Sequence, residues 1–274
     1  MQGPDADAPI GVFDSGVGGL TVLAALRARL PDEHYLYLGD TARLPYGTKS
    51  GETVVRYALQ AADALVARGI KALVVACNTA SSVALPDIAA RYPGLPVVGV
   101  VEPGAEAACA ATRRDHVAVI ATEGTILGGA YQRAIARLRP TVRVEALPCA
   151  LFVALAEEGW VRGEVADAVA RRYLEPVFGA DPPDVLVLGC THFPLLVEPI
   201  RAAAGTAVRI VDSAATTAAA VQRELERTGR RRTSRSPAAS TRFLATDGVA
   251  RFARVGSAFL GIPVAPEQVQ LVDL

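Results

Sequence analysis

The chain alternates short apolar runs with longer segments whose apolar residues recur at helical spacing. The short runs predict buried strands at residues 10–13, 35–38, 72–76, 97–100, 117–120, 142–146, 185–188, 208–211 and 241–245. The longer segments predict helices at residues 20–30, 53–68, 82–91, 105–112, 125–138 and 164–178. Apolar strands that alternate with helices are typical of parallel sheets covered by helices on both faces. The pattern therefore predicts an α/β fold.

Two of the predicted strands end in the same way. Cys77 follows the apolar run LVVA and precedes Asn-Thr-Ala, and Cys190 follows LVLG and precedes Thr-His-Phe. Upstream, the segment GVFDSG around Asp14 is echoed by AVIATEG around Thr122. The repeat predicts two related α/β halves, each with one cysteine where a strand passes into a helix. Ligands of parallel sheets bind beyond the carboxyl ends of the strands, where both cysteines lie.

A cysteine at the start of a helix is suited to chemistry. The helix dipole and the free backbone N–H groups stabilise a thiolate and lower the thiol pKa from its usual value of about 8.5. Polar residues follow both Cys77 and Cys190, whereas Cys109 and Cys149 have no comparable polar neighbours and are interpreted as packing residues. The chain has no CxxC pair and no signal-peptide pattern at its start, so we expect reduced thiols in a cytoplasmic protein.

Several reactions use cysteines, but few use two equally. A disulfide redox couple favours CxxC, and a zinc site needs more ligands than Cys190 and His192 provide. A Cys–His nucleophile built from these two residues leaves Cys77 without a role. In racemisation or epimerisation, one thiolate removes a proton from carbon while a thiol on the opposite face supplies another. The paired cysteines therefore favour a two-base isomerase.

The same residues carry a resemblance to a known family. Six segments carry it, in chain order: IGVFDSGVGGLTVL, YLGDTARLPYGTKS, VACNTASSVALP, VIATEGTI, LGCTHFPLL and IVDSA. Together they resemble the glutamate racemases over residues 10 to about 270. The resemblance implies interconversion of L- and D-glutamate without a cofactor or metal, to supply D-glutamate for peptidoglycan and hence for cell shape. It also implies a homodimer and two pseudo-symmetric domains with the active site between them, which we place at residues 1–99 plus 212–274 and at 100–211.

The resemblance assigns roles to individual residues. Cys77 would deprotonate D-glutamate and Cys190 would deprotonate L-glutamate, assisted by Asp14 and His192 respectively. Glu157 is a further assisting residue, although its surroundings, CALFVALAEEG, depart from the family pattern. The implied substrate contacts are Asp14, Ser15, Pro45, Tyr46, Gly47, Asn78, Thr79, Thr122, Thr125, Thr191 and His192.

Charge and composition limit the other possibilities. The 274 residues include 28 Lys and Arg against 28 Asp and Glu, so the net charge is zero. This balance argues against a dedicated nucleic-acid or membrane binder, and it gives no support to the effect on DNA gyrase reported for some racemases. No apolar run is long enough to cross a bilayer. The basic run at 227–236 is interpreted as a solvated loop, with anion binding as the minor alternative.

Two other functions remain open at this stage. Gly16, Gly18 and Gly19 follow a strand and open a helix, and Asp40 ends the next strand, as in a dinucleotide-binding module. The third glycine of that pattern is replaced by Thr21. A racemase of the same group acting on aspartate or hydantoins would retain the fold and both thiols but have a different carboxylate pocket.

Overall fold

The structure is a computed structural model that describes residues 6–233 and 238–274. Its strands are β1 (Ile10–Asp14), β2 (Tyr35–Gly39), β3 (Ala72–Val75), β4 (Val97–Gly99), β5 (His116–Ala121), β6 (Arg143–Pro148), β7 (Val185–Gly189), β8 (Arg209–Asp212), β9 (Thr241–Ala245) and β10 (Val269–Leu271). They form two sheets, in the orders β10-β9-β2-β1-β3-β4 and β6-β5-β7-β8. Neighbouring strands run parallel in both sheets. The central strands are fully buried, because helices cover the sheets.

The helices are α1 (Leu20–Arg29), α2 (Gly51–Val66), α3 (Asn78–Val83), α4 (Leu85–Arg91), α5 (Val101–Ala111), α6 (Glu123–Gly128), α7 (Ala130–Leu138), α8 (Leu151–Glu158), α9 (Glu164–Phe178), α10 (Val197–Ala204), α11 (Ser213–Arg227) and α12 (Val249–Leu260). Short 3-10 helices lie at Tyr46–Thr48, Phe193–Leu196 and Pro266–Gln268. In the part of the chain that the structure describes, no helix has the length and apolar character needed to cross a bilayer.

The predicted α/β fold is confirmed, and each predicted strand is present. The pattern did not predict β10 or the helices α8, α10, α11 and α12. Two predicted helices are divided: 82–91 becomes α3 and α4, and 125–138 becomes α6 and α7. Pro86 in the first turn of α4 cannot donate a backbone hydrogen bond, and Gly129 adopts φ +64°, a left-handed conformation that ends α6.

The two sheets repeat one topology. The order β2-β1-β3-β4 in the first sheet matches β6-β5-β7-β8 in the second. In the first sheet, β2 is added on one side of β1 and β3 on the other, so the strand order reverses direction between β1 and β3. In the second sheet, β6 and β7 flank β5 in the same way, and this switch point lies between β5 and β7. Phe13 pairs with Val75 across the first switch point, and Ala121 pairs with Gly189 across the second. Asp14 and Cys77 therefore lie together, as do Thr122 and Cys190, where parallel sheets bind ligands.

The two sheets are joined by helix packing. Helix α11 follows the second sheet and packs against α1 of the first part of the chain and against α5. Strands of the first sheet come from residues 10–99 and 241–271, and those of the second from residues 116–212. The division into two domains at 99/100 and 211/212 stays a prediction, since α11 contacts helices on both sides.

The interpretation of the basic run as a solvated loop holds only in part for its described residues, 227–233, because most of them are exposed but one basic side chain is buried. The side chain of Arg232 is buried and pairs with Asp7 (2.8 Å), and its backbone N–H donates to Glu33 Oε1 (2.8 Å). Arg230 donates to the carbonyl of Lys71 (2.7 Å). The buried Glu33 carboxylate also pairs with the Lys71 ammonium. This segment therefore supplies one of the hydrogen bonds that a buried carboxylate needs, near the amino-terminal ends of the strands of the first sheet. Residues 234–236 of the run lie outside the described residues.

Candidate active site

The first thiol-bearing turn connects β3 to α3. Cys77 is the N-cap of α3, and its sulfur accepts a hydrogen bond from the backbone N–H of Ala80 at 3.4 Å. The Cys77 thiol lies 3.6 Å from Ser15 Oγ and donates to it. Cys77 is 6% exposed. Burial raises the pKa of its thiol to about 12, and the nearby Asp14 carboxylate adds to this rise, so Cys77 is protonated at neutral pH. The predicted lowering of the thiol pKa by the helix start is therefore wrong for Cys77, because burial outweighs the hydrogen bond from Ala80.

Asp14 ends β1 and stands beside this turn. Its Oδ2 accepts a hydrogen bond from the backbone N–H of Gly16 (3.0 Å), while Oδ1 has no protein partner among the described residues. Asp14 is 1% exposed. Burial raises the pKa of its carboxyl group, and the charge of His192 together with backbone N–H groups opposes that rise. An acid of raised pKa thus faces the Cys77 side of the site.

The second thiol-bearing turn follows β7. Cys190, also 6% exposed, has its sulfur 3.8 Å from Nδ1 of His192. Burial by itself lowers the pKa of His192, but the Cys190 sulfur and the Glu157 carboxylate outweigh burial and raise it to about 10. His192 is therefore an imidazolium at neutral pH. Its positive charge therefore lies beside the Cys190 sulfur.

Glu157 on α8 lies against the far side of the imidazole ring. Nε2–H of His192 donates to Glu157 Oε1 at 3.1 Å, and Arg251 at the start of α12 donates to Oε2 at 2.7 Å. The hydrogen bond from His192 lowers the pKa of Glu157; burial opposes this, and Arg251 assists it. The sequence pattern around Glu157 departs from the family, but the structure brings this carboxylate to His192.

The two turns contact each other. A Cβ on Gly18 would lie 2.3 Å from Thr191 Oγ1 and 2.5 Å from the His192 ring, so only glycine permits this approach. The hydroxyl of Thr21 donates to the carbonyl of Thr191 at 3.0 Å. The two sulfurs are close enough that a charge on Cys190 raises the pKa of Cys77. The second turn therefore packs directly against the glycine-rich loop that follows β1.

Hydroxyl and amide groups from both sheets complete the site. The hydroxyls of Thr79, Thr122 and Thr125 form a triangle with separations of 3.0, 3.1 and 3.0 Å. Gly47 lies against Thr122, since a Cβ there would be 2.8 Å from the Thr122 side chain. Oδ1 of Asn78 accepts a hydrogen bond, whereas its Nδ2 is buried without a protein partner in residues 6–233 and 238–274. These groups suit carboxylates, which need hydrogen-bond donors.

The chain is similar to known proteins along most of its length. The Asp/Glu/Hydantoin racemase family matches residues 20–221. A glutamate racemase from Geobacter metallireducens is 52% identical over 92% of both chains. The glutamate racemase structure from Francisella tularensis, in complex with D-glutamate, has a TM-score of 0.90 at 35% identity and covers 98% of both chains. The one from Thermus thermophilus has a TM-score of 0.88 at 45% identity with the same coverage.

The chain belongs to the Asp/Glu/hydantoin racemase family. The resemblance to the glutamate racemases within it is thereby confirmed, and with it the class of enzyme, an isomerase acting on amino acids.

The structure shows the surroundings of two further residues that the family resemblance assigns to substrate binding. Pro45 is exposed, and the Tyr46 hydroxyl donates to the buried Asp40 carboxylate. The ring of Tyr46 packs against Phe13, with centroids 6.1 Å apart. The Tyr46 hydroxyl and ring are therefore already engaged within the protein. Asp40 also accepts from Arg43 at 2.7 Å, so its carboxylate is not free to bind a ribose in the dinucleotide alternative.

The structure also adds two residues that sequence reasoning missed. Arg251 reaches Glu157 from α12, and the Tyr131 hydroxyl on α7 donates to Asn78 Oδ1 at 2.8 Å. Neither residue lies in a recognisable motif, and no local pattern could have found them. In the described part of the chain, no group of three or more His, Cys, Asp or Glu side chains is arranged to hold a metal ion.

Proposed function

We propose that this racemase interconverts L- and D-glutamate by proton transfer at the α-carbon between Cys77 and Cys190, without a cofactor. The observation that carries the proposal is the pair of nearly buried thiols at equivalent turns of two repeated sheets, one beside a carboxyl group and one beside an imidazolium. The names of the relatives, glutamate racemases of 52% and 35–45% identity, support glutamate as the substrate.

The proton transfers follow from the two environments. In the L-to-D direction, the Cys190 thiolate removes the α-proton and becomes a thiol, while the Cys77 thiol donates its proton to the opposite face and becomes a thiolate. After product release, Cys77 regains a proton from solvent and Cys190 loses one. The reverse direction begins with the Cys77 thiolate, whose reprotonation and deprotonation the neighbouring Asp14 assists. The carbanion-like state is stabilised by hydrogen-bond donors that are already in place.

The unpaired polar atoms fit an amino acid. Asp14 Oδ1 is a buried acceptor and Asn78 Nδ2 a buried donor, so the site complements a molecule that carries both an ammonium and a carboxylate. Backbone N–H groups around Ser15, Gly47 and Thr191, at loops and helix starts, are further donors for carboxylates. The threonine triangle would supply hydroxyl donors for the second carboxylate.

Three wider roles belong to the same proposal. D-glutamate from this reaction would supply peptidoglycan synthesis, as the family implies. The enzyme would work in the cytoplasm as a homodimer of two-domain subunits, with domains at residues 1–99 plus 212–274 and at 100–211. A reducing compartment suits a mechanism in which both thiols must stay free, and all four cysteines are unpaired. Sedimentation of the purified chain tests the dimer directly.

Solvent exchange at the α-carbon tests the reaction. Purified enzyme is incubated with D-glutamate in D₂O, and deuterium at Cα is followed by NMR together with optical rotation. We expect deuterium chiefly in the L-product, and racemisation lowered by about 10³-fold or more in Cys77→Ala and in Cys190→Ala. Cys109→Ala is the matched control, because Cys109 lies on α5 away from both turns.

Three outcomes would contradict the proposal in different ways. Absence of exchange with glutamate rejects the substrate, and exchange with aspartate instead moves the chain to that substrate while keeping the mechanism. Racemisation that survives in either cysteine variant rejects the two-base scheme.

A further inference from the structure

Tyr131 contacts both thiol-bearing turns. It lies on α7 and is 1% exposed. Its ring fills a slot between Gly104 on α5 and Gly189 at the end of β7, where an added Cβ would lie 3.1 and 3.2 Å from ring carbons. Gly189 directly precedes Cys190. The ring is therefore fixed against the backbone of the second turn, and side chains larger than glycine at these two positions would displace it.

The hydroxyl of Tyr131 reaches the first turn. It donates to Oδ1 of Asn78, the residue after Cys77, at 2.8 Å. A buried phenol needs an acceptor for its proton, and burial raises the pKa of Tyr131, so the hydroxyl stays protonated and remains a donor. Since the ring is fixed on the second turn, this hydrogen bond also fixes the orientation of an amide on the first.

The orientation of the Asn78 amide decides what it offers to a ligand. With Oδ1 engaged by Tyr131, the opposite group is Nδ2, a donor that is buried and has no protein partner among the described residues. Asn78 is 4% exposed, so this donor cannot be satisfied by bulk solvent. A carboxylate is an acceptor, and it matches Nδ2 but is repelled by Oδ1.

We propose that Tyr131 is a positioning residue that holds the Asn78 amide with its Nδ2 directed toward a carboxylate of the bound amino acid. This inference rests on the proposed function, because it requires an anionic substrate in the site. Without the hydroxyl, the amide is free to turn over and present its oxygen to the carboxylate. Loss of the hydroxyl therefore weakens binding of both enantiomers, since each carries the same carboxylates.

The test is the Tyr131→Phe variant, which removes one oxygen and keeps the ring in its slot. We expect KM for both enantiomers to rise about tenfold, with kcat changed less than about threefold. Tyr35→Phe is the matched control, because the Tyr35 hydroxyl is also buried and donates to the carbonyls of Leu26 (3.0 Å) and Leu30 (2.9 Å), away from the site. Both variants should lose similar thermal stability, and only Tyr131→Phe should change KM.

A double-mutant cycle separates positioning from packing. If Tyr131 acts through Asn78, adding Tyr131→Phe to Asn78→Ala leaves KM unchanged from the single Asn78→Ala variant. An unchanged KM in Tyr131→Phe, or an equal further rise in the Asn78→Ala background, would overturn the inference. If the wild-type chain does not racemise glutamate, the proposed function fails first; if it does and the cycle is additive, only the role of Tyr131 fails.

Discussion

Cys77 and Cys190 each follow the strand at the switch point of a four-strand parallel motif, but different groups surround their sulfurs. Cys77 has a backbone N–H, the Ser15 hydroxyl and the Asp14 carboxyl group nearby. Cys190 has the His192 imidazolium nearby, and the other ring nitrogen of His192 donates a hydrogen bond to Glu157. The chain thus repeats the backbone of the site without repeating its electrostatics.

This difference matches what a two-base reaction needs. At any moment one sulfur must be a base and the other an acid. Burial and Asp14 raise the pKa of Cys77 to about 12 and keep it a thiol, while the Cys190 sulfur faces the positive charge of His192. The resting enzyme is therefore expected to hold Cys77 as the acid, which the proposed L-to-D direction requires.

Among substitutions of the groups around the two sulfurs, the largest effects are expected from neutral substitutions of the two assisting residues. In Asp14→Asn and in His192→Asn, we expect kcat/KM to fall by about 10²- to 10³-fold. The fall must be equal in both directions for each variant, because the enantiomers have equal free energy. The difference between the sites should instead appear in the α-deuterium isotope effect, which should increase for L-glutamate in His192→Asn and for D-glutamate in Asp14→Asn.

Asp63→Asn is the control for the first substitution, because Asp63 forms an exposed pair with Arg91 on the surface. The same direction of isotope asymmetry in both assisting-group variants would contradict the assignment of one group to each thiol.

An intermediate effect is expected from Glu157→Gln. Glu157 helps to raise the pKa of His192 to about 10, so activity that needs the imidazolium is present below that pH and lost as pH rises through it. Without this carboxylate the pKa of His192 falls, and the alkaline limb of the kcat/KM profile should move to lower pH. We expect kcat/KM to fall about tenfold at pH 8.

The chain supplies a matched control for this variant. His116 Nε2 lies 2.9 Å from Glu145 Oε1, a second His–Glu pair at the opposite end of the same sheet. Glu145→Gln should leave the pH profile unchanged. An alkaline limb that stays in place in Glu157→Gln would show that Glu157 does not act on His192.

The smallest effect is expected from Arg251→Gln. The Arg251 side chain is 54% exposed, and exposed ion pairs contribute little because water screens them. We expect kcat to fall about threefold, with recovery in Arg251→Lys. Arg223→Gln is the control, since Arg223 forms a similarly exposed pair with Glu106 at 3.4 Å. A loss as large as that of Glu157→Gln would mean that Arg251 itself touches the substrate.

Local patterns predicted much of the fold. Continuous apolar runs predicted the strands because parallel strands are buried on both faces, as the zero exposure of Val12, Val74 and Val187 illustrates. The pattern was less successful for helices. It missed α11, whose Ser and Thr residues weaken the helical pattern although Asp212 caps its first turn, and it joined segments that Pro86 and Gly129 divide.

The sequence by itself determined which residues sit at the carboxyl ends of the strands. Cys77, Cys190, Asp14 and Thr122 are placed there by their position next to apolar runs, since a strand fixes where its own end lies. Only the tertiary structure decided which groups meet each sulfur. Glu157 reaches His192, Tyr131 reaches Asn78 and Arg251 reaches Glu157 across 35, 53 and 94 residues of chain. Such contacts depend on how two sheets and their helices pack, and packing is set by the whole core.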